Sequence, residues 1–202
     1  MNRLPTTGLA KAISHLVNPA GAAAIALCGL SRDPAAGPVA WLILCLGLYV
    51  AIPLAAIPLV RHRLTGPDPG PERRFTDIYD PAPEARQLLL TAGVSIYGLS
   101  AGLLWALEAP APYLWAATTF LCAATVVWGV NRLWKISIHT TGAGGAAGLL
   151  MISGAPGWPL AIGLPLTVAW ARWVRGAHNA AQVVSGALLG ALVAFGCQVL
   201  TR

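Results

Sequence analysis

The chain has 202 residues, 56% apolar and 10% charged, with thirteen Lys and Arg against seven Asp and Glu. An ordinary soluble domain carries about 25% charged residues, so this composition excludes a water-soluble globular protein and points to an integral membrane one. The formal charge of +6 lies between the apolar runs, which favours anionic headgroups, a phosphate ligand and topology signals over a nucleic-acid partner.

In chain order, apolar runs of helical length predict helices over 10–31, 38–60, 87–107, 113–133, 140–155, 157–174 and 179–200. The breaks between them are "SRDPAAGP", the polar segment 61–86, "EAPAP", "GAPGWP" and "RGAHN", all rich in turn formers. The expected fold is all-α: a polytopic transmembrane helical bundle of six or seven spans, one domain over 1–202 without internal repeats. The first apolar run lacks the pattern of a cleaved leader and is expected to remain. Segment 61–86 holds five arginines, five acids and many prolines, and is expected to be a loop or surface helix.

Several residue groups read as packing. Cys28, Cys45, Cys122 and Cys197 lie within apolar runs without ligand spacing, so neither a disulfide nor zinc is expected. The tryptophans fall mostly near span ends, as an interfacial belt does. "GAGGAAG", Gly142 to Gly148, predicts a close helix contact through small residues. His15 and His62 match no motif and read as interfacial, as do Arg132 and Arg175.

Three polar clusters stand at helix junctions: Arg86 at the end of the long polar segment, "KISIH" from Lys135 to His139, and "ARWVRGAH" with Arg172 and His178. If all seven helices cross, the three loops share one membrane face with the N-terminus. Cations together with histidines at membrane depth are costly unless they line a polar cavity, which predicts a common site. Guanidinium and ammonium groups suit phosphate oxygens, and helix N-termini add backbone donors. Two histidines supply a nucleophile and a proton donor, enough for phosphoester cleavage with no cofactor. Gln182 lies one helical turn beyond His178 in "RGAHNAAQVVSGALLG". Its carboxamide oxygen is therefore expected to accept the His178 Nδ1–H and free Nε2 for attack.

"KISIH" and "RWVRGAHNAAQVVSG" resemble the second and third signatures of the type 2 phosphatidic acid phosphatase superfamily, over a helical frame from about residue 86 to 190. Ser137 and His139 match the Ser-x-His of one signature. Arg172 and His178 match the arginine and histidine of the other, with five residues between them, and Gln182 stands where most members carry an acid. Glutamine there resembles the subset that includes the dolichyl diphosphate phosphatases. The first signature is poorly kept: Gln87 follows Arg86 in place of proline and Tyr79 stands at the lysine position, with Arg73 or Arg74 as possible substitutes.

The resemblance implies a metal-independent phosphohistidine mechanism on a membrane lipid. His178 attacks, His139 protonates the leaving oxygen, and Arg172, Lys135, Ser137 and Arg86 hold the phosphoryl group. An isoprenoid (polyprenyl) diphosphate or phosphate is the expected substrate, with phosphatidate or phosphatidylglycerol phosphate as alternatives. Two readings of other classes are a non-catalytic lipid-binding protein and a Mg²⁺-dependent prenyltransferase using Asp77 and Asp80 of "DIYD". Basic residues concentrate on the loops that carry the site, so the expected setting is a plasma membrane with the site facing the cytoplasm.

Overall fold

The computed structural model describes residues 6–65, 83–154 and 158–201. The described chain is helical throughout. Its elements are α1 (Thr6–Leu16), α2 (Pro19–Leu30), α3 (Val39–Leu46), a π turn (Gly47–Ala51), α4 (Ile52–Thr65), α5 (Pro83–Ala106), α6 (Ala111–Val130), α7 (Ile138–Ile152), α8 (Trp158–Val174) and α9 (Ala180–Thr201), with a short 3-10 turn at Pro34–Ala36.

The expected helix positions are met, but the number of spans is smaller than six or seven. Among the described residues, four stretches are long and apolar enough to cross a bilayer: Val39–Val60, Arg86–Ala106, Ala111–Val130 and Ala180–Val199. A fifth arises if Gly8–Leu16 and Pro19–Leu30, bent by 58° at their junction, count as one. The expected single helix over 10–31 breaks because Pro19 bars a helical conformation at the preceding residue. Asn18 is extended, and its side chain accepts from Gly21 N–H at 2.9 Å as the cap of α2. α7 and α8 fall short by length: 15 and 17 residues rise only ~22 and ~26 Å, against a hydrocarbon core of about 30 Å.

Of the segment 61–86, expected to be a loop or surface helix, the first residues continue α4 to Thr65 and the last open α5 at Pro83; the rest lies outside the described residues. Within the first long span, the π turn ends two residues before Pro53. Proline has no N–H for the carbonyl four residues back and its ring crowds that carbonyl, so the helix widens locally. The widened turn carries Tyr49, which is buried.

α7 is the central element. It packs against α2, α6, α8 and α9, and its residues from His139 to Leu150 are buried apart from the half-buried Gly142. The contact with α9 is the closest in the bundle and uses the small-residue run expected at 142–148. A Cβ on Gly144 would strike the Ala187 carbonyl, and one on Gly190 would strike the Thr141 carbonyl and Gly145 N. Farther along, Gly148 faces Ala191 and Ala194. The facing pairs rise together in number, so α7 and α9 run parallel and their N-termini lie at the same end of the bundle.

Candidate functional site

Both histidines stand where a helix begins. Ser137 caps α7: its hydroxyl oxygen accepts from Thr140 N–H, while its carbonyl accepts from the Thr140 and Thr141 hydroxyls at 3.1 and 3.0 Å. His139 therefore sits in the first turn of α7. The Ser137 N–H donates to the Gln182 carbonyl at 3.3 Å, tying this start to the first turn of α9.

The spacing between Arg172 and His178 has a local physical cause. Arg172 occupies the last turn of α8, where the negative end of the helix dipole favours a cation. The helix stops in a Schellman turn: Ala177 N–H donates to the Arg172 carbonyl at 3.2 Å and Gly176 N–H to the Trp173 carbonyl at 2.8 Å. Gly176 takes the left-handed conformation this turn requires, with φ 65°. Asn179 and Gln182 then open α9 as a reciprocal capping box. Gln182 N–H donates to Asn179 Oδ1 at 2.9 Å, and Asn179 N–H donates to Gln182 Oε1 at 3.1 Å. One helix end, one turn and one helix start thus fold the segment back so that Arg172 and His178 approach the start of α7.

A cavity of about 490 Å³ opens at this end, within the usual range for small-ligand sites. Arg86, Lys135, His139 and His178 line it together, while most of the remaining wall is apolar and comes from α4, α5, α6 and α7. Four of the seven residues expected at the site therefore meet on one cavity. Arg172 is completely buried and lies close enough for its charge to act on His139. Ser137, also completely buried, lies behind the wall as the cap of α7.

Gln182 departs from expectation. Its carboxamide oxygen is engaged by Asn179 N–H, so its observed task is to close the first turn of α9. The orienting bond to His178 Nδ1 is replaced by this cap.

Burial, and after it the positive charge of Arg172 and the neighbouring His178 and Arg175, holds the His139 pKa well below its ordinary value of 6.5; a hydrogen bond to the Ser14 backbone carbonyl opposes them. Two contributors escaped the sequence reading. Arg175 reads as interfacial in the sequence, yet from the turn just past α8 it adds its charge at His139. Ser14 on α1 acts through its backbone, which leaves no side-chain signature. Arg73, Arg74, Asp77, Tyr79 and Asp80 lie outside the described residues.

At the rim, Trp128 Nε1–H donates to the Thr91 hydroxyl at 2.9 Å, and the Arg132 guanidinium lies 3.7 Å from the centre of the Trp128 ring. This joins α5 to α6 at the level expected for interfacial anchors. Comparison with family models, with curated proteins and with solved structures finds no match.

Proposed function

We propose that the protein is an integral membrane phosphohydrolase acting on a lipid phosphate, with an isoprenoid diphosphate or monophosphate as the substrate class. The observation that carries this reading is the shared cavity. Two histidines and two cations line a space whose other walls are mostly apolar, a division that suits an amphiphile with a phosphate head.

In this mechanism Arg86 and Lys135 hold the phosphoryl oxygens, the buried Arg172 adds positive charge beside His139, and the start of α7 adds backbone N–H donors. Ser137 acts from behind, by fixing that start. His178 Nε2 attacks phosphorus as the bond to the leaving oxygen breaks, and His139 gives that oxygen a proton. Water then attacks the phosphohistidine, His139 takes its proton, and inorganic phosphate leaves. Around an empty site burial, and after it the neighbouring positive charge, disfavours the protonated form of His139. A bound phosphate dianion offsets that charge, so His139 gains its proton as the substrate arrives.

The test is release of inorganic phosphate from polyprenyl and acyl-glycerol phosphates by the detergent-solubilised protein, with a chelator present. The expected outcome is turnover by the wild type and a loss of roughly a thousandfold or more in His178→Ala. Release no faster than without protein would leave a non-catalytic lipid-binding role, equal turnover by the two proteins would remove His178 as the nucleophile, and abolition by chelator would favour metal-dependent chemistry.

A further inference from the structure

On α5, α6 and α7 the apolar wall of the cavity ends where Tyr97 meets Phe120 and Gly145 meets Thr119. Along α5 the wall runs from Arg86 to Tyr97, along α6 from Val127 up to Phe120 and Thr119, and along α7 from Ile138 to Gly145. At that level Tyr97 and Phe120 meet Tyr49 from the π turn. The ring centroids of Tyr49 lie 5.3 Å from those of Tyr97 and 5.2 Å from those of Phe120, and the latter two are 6.2 Å apart. Three tilted rings in mutual contact make a floor that yields less readily than aliphatic side chains. Above it the wall is low: Gly93 faces the cavity, and a Cβ built there meets nothing within 4 Å.

We propose that this cavity gauges the length of a single hydrocarbon tail, with the Tyr49, Tyr97 and Phe120 rings as its stop. The proposal rests on the lipid-phosphate reading above and adds the tail to it. Its occupant is a single-tailed phosphate amphiphile, because the charged groups Arg86 and Lys135 stand at one end of a mostly apolar chamber. At ~1.5 Å per residue, the depth is ~9 Å from position 139 to 145 on α7 and ~16 Å from position 86 to 97 on α5. An extended chain advances about 1.1–1.2 Å per bond, by analogy with the ~3.3–3.6 Å that three backbone bonds span, so the tail has room for roughly 8 to 14 bonds.

The experiment measures binding of straight-chain alkyl monophosphates of increasing length to the full-length protein in nanodiscs. It uses wild type, His178→Ala, Gly93→Phe and Phe120→Ala. Each added methylene should tighten binding about fourfold while it is being buried, and the gain should stop within the window of roughly 8 to 14 bonds. Gly93→Phe, which fills open space, should move the stop to shorter tails, and Phe120→Ala should move it to longer ones. A gain that continues past the window, or a stop unmoved in Gly93→Phe, overturns the proposal. Binding is read without turnover, so the two ideas fail separately. A stop that moves as expected, in a protein releasing no phosphate, keeps the gauge and removes the hydrolase. Phosphate release with no stop does the reverse.

Discussion

At the residue scale, Arg172 combines a structural and an electrostatic role on different atoms. Arg172 supplies both a carbonyl to the Schellman turn and a fully buried guanidinium beside His139. The same kind of turn ends α5, where Ala109 N–H donates to the Leu104 carbonyl and Glu108, not glycine, takes the left-handed position at φ 52°. Gln182 holds the first turn of α9 closed. As the third residue of a capping box it should contribute about 1 kcal/mol to stability. Gln182→Leu is therefore expected to lower thermal stability by that order, while phosphate release per folded molecule falls far less than in His178→Ala. Gln182→Glu should keep stability near wild type, since glutamate serves the same cap. A large kinetic loss in Gln182→Leu with unchanged stability would restore the orienting role.

At the element scale, the approach of α7 to α9 determines whether the two histidines meet. Parallel helices bring both N-termini to one end, and the distance between the helices is set by hydrogen atoms where side chains would otherwise stand. Two glycines of α9 separate this packing from intrinsic helix preference. Alanine is the better helix former by ~1 kcal/mol at either position. Gly196 has nothing within 4 Å of an added Cβ, whereas one at Gly190 would run into the backbone of α7. Gly196→Ala should thus be neutral or slightly stabilising. Gly190→Ala should cost about 1–3 kcal/mol by overpacking and should suppress phosphate release by moving His178 away from His139. Thermal unfolding in detergent, paired with the phosphate assay, distinguishes the two variants; equal behaviour would contradict the close contact.

At the scale of the whole molecule, the long helices α6 and α9 pack against a short, buried α7 instead of standing beside it as equivalents, while α8 keeps Leu160, Ile162, Leu166 and Trp173 exposed. α7 does not need to reach across the bilayer, because α2, α6 and α9 shield it on its flanks. The site end and the opposite end can be told apart by labelling. Leu133, in the turn before Lys135, is 94% exposed and lies at the site end, while Glu108, between α5 and α6, lies at the other. With the four native cysteines replaced, Leu133→Cys and Glu108→Cys should react with an impermeant thiol reagent from opposite sides of sealed cells. The proposed orientation has Glu108→Cys labelled from outside; labelling of Leu133→Cys instead would reverse it.

What the linear order of residues determined by itself is the helical membrane character, the helix positions and the groups able to handle a phosphate. Those follow from local quantities: apolar runs, turn formers, and the residue types at "KISIH" and "RWVRGAH". The small-residue run at 142–148 also announced a close contact, though not its partner. Only the tertiary structure decided the number of spans, since the kink at Asn18–Pro19 and the shortness of α7 and α8 emerge from helix ends resolved in three dimensions. It likewise decided what Gln182 holds, because one carboxamide oxygen could serve either the ring of His178 or the N–H of Asn179, and local capping geometry favours the nearer donor. The gathering of Arg86, Lys135, His139 and His178 on one cavity is tertiary for the same reason. Groups far apart along the chain acquire a common environment only when the helices that carry them pack.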